Sequence, residues 1–170
     1  NSNLQAEIAL SSRDLNRFSH LGNADNVGTA AMLGWRQGFG FGKMDTNLTI
    51  PKNSGLSNFH SFNGTFFANY EFAARDFRPL NPYRPAEFSR DWNLGMNQDT
   101  TAEHLAKAGI SLEKNKLGEI RYEFGAFKRE GFYNGARHSG GWRVQRNGWN
   151  FLGEANLLQT DGQAERTRFS

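Results

Sequence analysis

Apolar and polar residues alternate along most of this chain. The alternation predicts β-strands, because successive residues of a strand point to opposite sides of a sheet. The clearest run lies at 62–74, where the even positions carry no charge and the odd positions are mostly polar. Runs of the same kind lie at 33–41, 104–112, 120–126 and 149–157. Together they predict an all-β protein.

Turn residues join these runs into hairpins. Asn115 and Gly118 lie in the middle of 104–128, and this segment is therefore predicted to form one hairpin. An Asn-Gly pair at 147–148 joins the run at 149–157 to a strand before it. Asn-Gly between two alternating runs is a strong hairpin signal. The predicted architecture is an antiparallel meander of long hairpins.

The run at 33–41 differs from the others because one of its faces is aromatic and the other is nearly bare. Glycine in a strand interior packs poorly, so a row of glycines predicts that another backbone or a bulky side chain lies close over that face. The alternating residues are Leu33, Gly34, Trp35, Arg36, Gly38, Phe39, Gly40 and Phe41.

Three of the four prolines fall within 78–85, which is therefore predicted to be an extended connection and not a central strand. No internal repeat or low-complexity tract is recognised, so 1–170 is treated as a single β-rich domain or as part of a larger one. The residues at 165–170 alternate and then stop without a turn, which favours a fragment of a longer protein.

The pattern predicts eight or so strands, several of them about 10 to 13 residues long, whereas strands of globular sheets usually have about five or six. A membrane-spanning strand needs about 9 to 11 residues, an uncharged outer side and aromatic residues near its ends. The length favours a barrel or part of a barrel. The alternative is a soluble β-sandwich, in which the uncharged faces pack on each other. The candidates for an aromatic girdle are Trp35, Trp92, Trp142 and Trp149.

A barrel of this kind would direct its Arg, Glu, Asn and Gln side chains into a hydrated interior. The residues predicted to organise that interior form a charge cluster next to the proline-rich connection. They are Arg84, Glu87, Arg90 and Asp91, with Arg36 among the glycines as a further candidate.

The composition removes several classes of function. The absence of cysteine excludes disulfides, thiolate metal sites and cysteine nucleophiles, and the four histidines show no ligand spacing, so neither a metal nor a cofactor is expected. The 20 Lys and Arg residues against 17 Asp and Glu leave a net charge of +3, and no nucleic-acid partner is predicted. No apolar run approaches the roughly 20 residues of a transmembrane helix.

Two other classes of function are weighed against a barrel. Glu87 and Asp91 could form the acid and base of a hydrolase, but residues four apart on a strand are about 13 Å apart. An enzyme is therefore not predicted. The four tryptophans could instead be platforms for sugar rings in a carbohydrate-binding β-sandwich at the cell surface, and a glycan partner stays open.

Three stretches stand out for their composition, at 14–19 (Asp-Leu-Asn-Arg-Phe-Ser), 25–30 (Asp-Asn-Val-Gly-Thr-Ala) and 83–94 (Tyr-Arg-Pro-Ala-Glu-Phe-Ser-Arg-Asp-Trp-Asn-Leu). They resemble segments of long, β-rich, uncharacterised outer-membrane-associated proteins of Bacteroidota. The resemblance implies a location in the cell envelope and a longer parent chain, and it supplies no catalytic or ligand-binding residue.

Taken with the strand pattern, this resemblance predicts a non-enzymatic structural, pore or assembly component. The expected location is the outer membrane or cell surface of a Gram-negative bacterium. The expected partners are lipid or other outer-membrane proteins.

Overall fold

The structure, a computed structural model, describes residues 1–13, 27–41, 62–80, 84–94, 101–114, 117–146, 148–161 and 163–169. Eight strands and one short helix account for most of these residues. They are β1 (Ser2–Ser12), β2 (Val27–Phe41), β3 (Phe62–Ala73), α1 (Phe88–Asp91), β4 (Glu103–Lys114), β5 (Gly118–Arg129), β6 (Tyr133–Arg146), β7 (Trp149–Thr160) and β8 (Gln163–Phe169).

The strands form one sheet in chain order, and each strand is antiparallel to the next. This confirms the prediction of an all-β antiparallel meander. Among the described residues, β1 pairs with β2 and β8 pairs with β7, so the sheet is open at both edges. Such a sheet fits the wall of a barrel and also one layer of a sandwich.

The predicted hairpins are present and their strands are longer than the alternation suggested. The hairpin at 104–128 is β4 and β5, and these strands pair from Glu103 with Arg129 to Lys114 with Gly118. Gly118 has φ 143°, and Gly148, in the turn between β6 and β7, has φ 82°. Both φ angles lie in the region that favours glycine. This explains why glycine occurs at the start of β5 and in the turn before β7.

The strand β1 was not predicted, although its sequence carries the signal. Leu4, Ala6, Ile8 and Leu10 alternate with more polar residues, and each lies opposite a residue of β2 in register.

The prediction that a backbone or a bulky side chain covers the glycines of 33–41 is wrong for Gly34, Gly38 and Gly40. The atoms that lie nearest to a Cβ built at Gly34, Gly38 or Gly40, among the described residues, belong to the neighbouring strands β1 and β3 or to Asn1. A close backbone lies instead over Gly28, where a Cβ would overlap the main chain at Phe77.

The register divides the side chains of β1–β7 between two faces. Residues directly opposite each other share a face, so the even positions of β3 lie on the same side as the even positions of β4, β5 and β6 and the odd positions of β2 and β7. We call this side the apolar face. Its large exposed side chains include Leu4, Ile8, Leu33, Trp35, Phe62, Tyr70, Ile110, Ile120, Tyr122, Phe124, Trp142, Val144, Trp149 and Phe151.

Charged residues are confined to the ends of the strands on the apolar face. In β1–β7 as described, its Lys and Arg residues are Lys114, Lys128 and Arg146, each at or next to the last residue of its strand, and it carries no Asp or Glu. The opposite side, which we call the polar face, carries acids and bases in the middle of the strands, among them Glu71, Lys107, Arg121, Glu123, Arg137 and Glu154.

Candidate functional site on the polar face

The segment 84–94, which we call the docked segment, lies against the polar face between β3 and β4 in sequence. Its centre is α1, which makes one turn in which the amide of Asp91 donates to the carbonyl oxygen of Glu87 at 2.8 Å. The expectation that Glu87 and Asp91 share a strand face is therefore wrong. The helical turn was missed because four residues carry no detectable helical period.

Apolar contacts hold the docked segment on an otherwise polar surface. Phe88 and Trp92 pack on Phe127, with ring centroids 5.1 Å and 5.5 Å apart. Leu105 and Leu158 complete this cluster from β4 and β7, and Trp92 is 1% and Phe127 0% exposed. The largest fully buried side chains in the described part of the chain all belong to this cluster; they are Trp92, Phe127 and Leu105.

A glycine makes room for the indole ring. A Cβ built at Gly125 would lie 3.3 Å from the Cη2 atom of Trp92. The hydroxyl of Tyr133 on β6 donates to the backbone carbonyl oxygen of Trp92 at 2.5 Å. Trp92 is thus held by packing and by a hydrogen bond from the sheet.

Arg84 joins the docked segment to two strands at once. Its Nη1 atom lies 2.5 Å from Oε2 of Glu71 on β3, and its Nη2 atom lies 3.6 Å from Oε2 of Glu103 on β4. Its guanidinium carbon lies 4.7 Å from the ring centroid of Phe88. Since the side chain is 16% exposed, this is a largely desolvated cation that needs both carboxylates.

A second ion pair ties the other end of the segment to the sheet. Oδ2 of Asp91 lies 3.2 Å from Nη1 of Arg137 on β6, and the other amino group of Arg137 lies 3.5 Å from Glu123 on β5. Arg137 also lies over the ring of Trp92, at 5.4 Å from its centroid.

The structure places the five charged candidates in different surroundings. Arg84 and Asp91 form ion pairs with the sheet, while Arg90 has a 63% exposed side chain and lies 3.6 Å from Asp91. Glu87 is exposed, and Arg36 is an exposed residue of the polar face opposite Phe67. The sheet residues that complete the cluster were not singled out in the sequence; they are Glu71, Glu103 and Arg137.

The sequence did contain a signal for the docking position. Leu105, Phe127 and Leu158 interrupt polar faces of three strands, and large apolar residues on a polar face indicate that something covers them. The signal was overlooked because the alternation on either side of these residues is strong.

The four tryptophans do not form one group. Trp35, Trp142 and Trp149 lie on the apolar face and are 41%, 47% and 69% exposed. Trp92 lies on the opposite side of the sheet and is buried, so it takes no part in an exposed girdle or sugar platform. This corrects the grouping of Trp92 with the other three.

Two matching polar pairs lie on the apolar face. Tyr70 Oη lies 2.8 Å from Nδ1 of His104, and Tyr122 Oη lies 2.7 Å from Nδ1 of His138. A phenylalanine two residues after each tyrosine packs on the same imidazole, with centroids 5.1 Å apart in both cases. The tripeptide Tyr-Glu-Phe occurs at 70–72 and 122–124. The same short motif therefore forms the same contact on two pairs of neighbouring strands.

Some predictions fall outside the described residues. These include the resemblance segment 14–19, the first two residues of 25–30, and Tyr83. In the described ranges, no helix is long and apolar enough to cross a membrane. Within the same ranges, His, Asp and Glu side chains do not gather in threes as ligands of a metal ion would.

Comparison of the chain with protein-family models, with curated proteins and with solved structures gave no match.

Proposed function

We propose that the chain forms part of the wall of an outer-membrane β-barrel in a Gram-negative bacterium. The apolar face contacts lipid, and the polar face lines a hydrated interior that the docked segment narrows. The role is structural and pore-forming, without a catalytic step. The observation that carries the proposal is the distribution of charge, which is absent from the apolar face except at the strand ends.

The strand lengths support this proposal. The strands β1–β7 contain 11, 15, 12, 12, 12, 14 and 12 residues. About 9 to 11 residues of a tilted strand suffice to cross a bilayer. Each of the seven is long enough, and the positions left over at the ends are where Lys114, Lys128 and Arg146 lie.

The polar groups on the apolar face also fit a lipid environment. An unpaired hydroxyl or imidazole is costly in hydrocarbon, because lipid tails offer no hydrogen-bond partner. The hydroxyl of Tyr70 pairs with Nδ1 of His104, and that of Tyr122 pairs with Nδ1 of His138. The second ring nitrogen of His104, Nε2, lies 3.5 Å from Oε1 of Glu130, just beyond the end of β5. Trp149 and Phe151 stack next to the turn at Gly148, where an interfacial aromatic girdle would lie.

An apolar face of this extent needs a cover. Monomeric soluble proteins rarely expose contiguous apolar patches larger than a few hundred Å². Lipid can cover the face without requiring shape complementarity, whereas a second sheet or a second copy would need matching side chains. The experiment below distinguishes lipid from a second sheet or a second copy as the cover of the apolar face.

The test measures which tryptophans lipid can reach. We would refold the full chain into vesicles and compare four variants, each with a single tryptophan and with phenylalanine at the other three positions. Brominated acyl chains are expected to quench Trp35, Trp142 and Trp149 and to leave Trp92 bright, which makes Trp92 the internal control. A chain that remains monomeric in water without detergent, or equal quenching at all four positions, would refute the proposal.

A further inference from the structure

A cavity of about 270 Å³ opens on the polar face beside the docked segment. Its lining includes small residues of β4 and β6, namely Ser111, Ser139 and Gly141. Larger polar residues, among them Arg121 and Glu154, surround them. The cavity is separate from the apolar cluster that holds the docked segment.

The small residues of the lining lie on both sides of β5 in register. Ser111 of β4 and Gly141 of β6 both lie opposite Arg121. A Cβ at Gly141 would lie 2.7 Å from Nε of Arg121, so the glycine lets this arginine lie flat on the sheet. A Cβ at Gly109 would lie 2.6 Å from the ring of Phe67, which is likewise accommodated by a glycine and forms one side of the cavity.

The charges around the cavity cancel. Arg121 Nη2 lies 2.6 Å from Oε1 of Glu154. Arg137 Nη2 lies 3.5 Å from Oε1 of Glu123. Two cations and two carboxylates leave no net charge, so the lining gives no preference to an anionic or a cationic solute.

The lining is instead dense in hydrogen-bonding groups. Guanidinium groups donate, carboxylates accept, and the amide of Asn156 does both. The hydroxyl oxygen of Ser139 is buried and has no hydrogen-bond partner among the described residues. An oxygen without solvent contact is not open to a solute in the cavity, so the exposed groups of the lining, Arg121 and Glu154, carry the recognition.

We propose that this cavity binds a neutral polyhydroxylated solute of the size of a single sugar ring. Ring hydroxyls match the paired donors and acceptors, and the Phe67 ring offers an apolar surface to the C–H side of the sugar. A volume near 270 Å³ is below that of a typical site for a drug-sized ligand, which fits one ring better than a chain of them. The placement of this site in a pore interior rests on the proposed function.

The test uses the full chain in detergent micelles and three matched probes. Glucose is neutral, glucuronate is anionic and glucosamine is cationic, while the ring is the same. NMR titration is expected to give a Kd for glucose about fivefold or more below the Kd values of the two charged sugars. Glu154→Ala and Asn156→Ala are each expected to weaken glucose binding about tenfold.

The control is Glu113→Ala, which removes an exposed carboxylate of the same face that does not line the cavity. It is expected to leave the Kd for glucose unchanged. Preference for a charged sugar, absence of glucose binding, or equal effects of the three variants would overturn the proposal.

The outcome is independent of the membrane test. A chain that inserts into vesicles but binds no glucose refutes the proposed sugar site and does not affect the proposal of an outer-membrane barrel. A chain that stays soluble in water and binds glucose with the expected variant pattern refutes the membrane placement and retains the site.

Discussion

The indole ring of Trp92 lies over Gly125, so close that a Cβ at position 125 would be 3.3 Å from its Cη2 atom. This contact joins the docked segment to the middle of β5. Trp92 belongs to a connecting segment and Gly125 to the sheet. A substitution at Gly125 therefore tests directly whether the docked segment is held against β5.

Gly125→Val is expected to displace Trp92, because the added methyl groups would occupy the position of the ring. Overpacking of this kind destabilises proteins by about 1 to 3 kcal/mol. In a variant with Trp92 as its single tryptophan, the emission is expected to shift to longer wavelength and the urea midpoint to fall. Gly140→Val is the control, since no atom of the described residues beyond its chain neighbours lies within 4 Å of a Cβ there. Equal effects of the two substitutions would contradict the assigned contact.

Arg84→Ala removes the cation that pairs with Glu71 and with Glu103, while Glu103 keeps a second partner, Arg129, whose Nε atom lies 2.8 Å from its Oε1 atom. Breaking a buried pair costs about 3 to 5 kcal/mol, and the partial exposure of Glu71 and the second partner of Glu103 lower the expected loss of unfolding free energy to about 2 to 4 kcal/mol. Arg84→Lys should recover part of the loss, because it keeps the charge without the guanidinium fork.

The matched control for Arg84 is Arg90→Ala on the same segment. The side chain of Arg90 is 63% exposed and lies 3.6 Å from Asp91. Its removal is expected to change the unfolding free energy by less than about 0.5 kcal/mol. If the two alanine variants unfold at the same urea concentration, Arg84 does not anchor the segment.

Ile110→Lys places a charge in the middle of the apolar face. If this face contacts lipid, the substitution should reduce the stability of the inserted protein by about 2 to 4 kcal/mol. Thr65→Lys, on the polar face of the neighbouring strand, should change it by less than about 1 kcal/mol. Urea titration in vesicles measures both. An Ile110→Lys chain that folds normally and becomes more soluble in water would indicate a face exposed to solvent.

Tyr122→Phe keeps the aromatic ring and removes the hydroxyl that meets His138. The cost is expected to be about 0.5 to 1.5 kcal/mol in the membrane, where no water replaces the lost partner. Tyr70→Phe, which removes the matching contact with His104, should cost a similar amount. On a face open to water both losses would be close to zero, and unfolding titrations of the two variants decide between these cases.

The fold was accessible from the sequence because strand side chains alternate with a period of two residues. The runs at 33–41, 104–112, 120–126 and 149–157 lie in strands, and the run at 62–74 exceeds β3 by one residue. Gly118 begins β5 directly after a turn, and Gly148 lies in a turn. The pattern is local, so it can be read without knowing which strands are neighbours. It also separated the charged positions from the uncharged ones before the register was known.

The candidate site could be predicted only in part from the sequence. The sequence drew attention to Arg84 and Asp91 as charged residues near prolines, but their partners are 13 and 46 residues away at Glu71 and Arg137. Charge and composition do not specify such pairings. The same holds for Trp92, which looked like an exposed aromatic residue and is buried against Phe127.

The sequence by itself determined the strands, their turns and the division of their residues into a charged and an uncharged side, because these features depend on neighbours within a few positions along the chain. The tertiary structure alone decided where the segment 84–94 lies and which acids and bases meet there, and it also decided that small residues of separate strands enclose a cavity. Those relations depend on the register between strands and on the path of a connection through space, and neither is encoded in any local pattern.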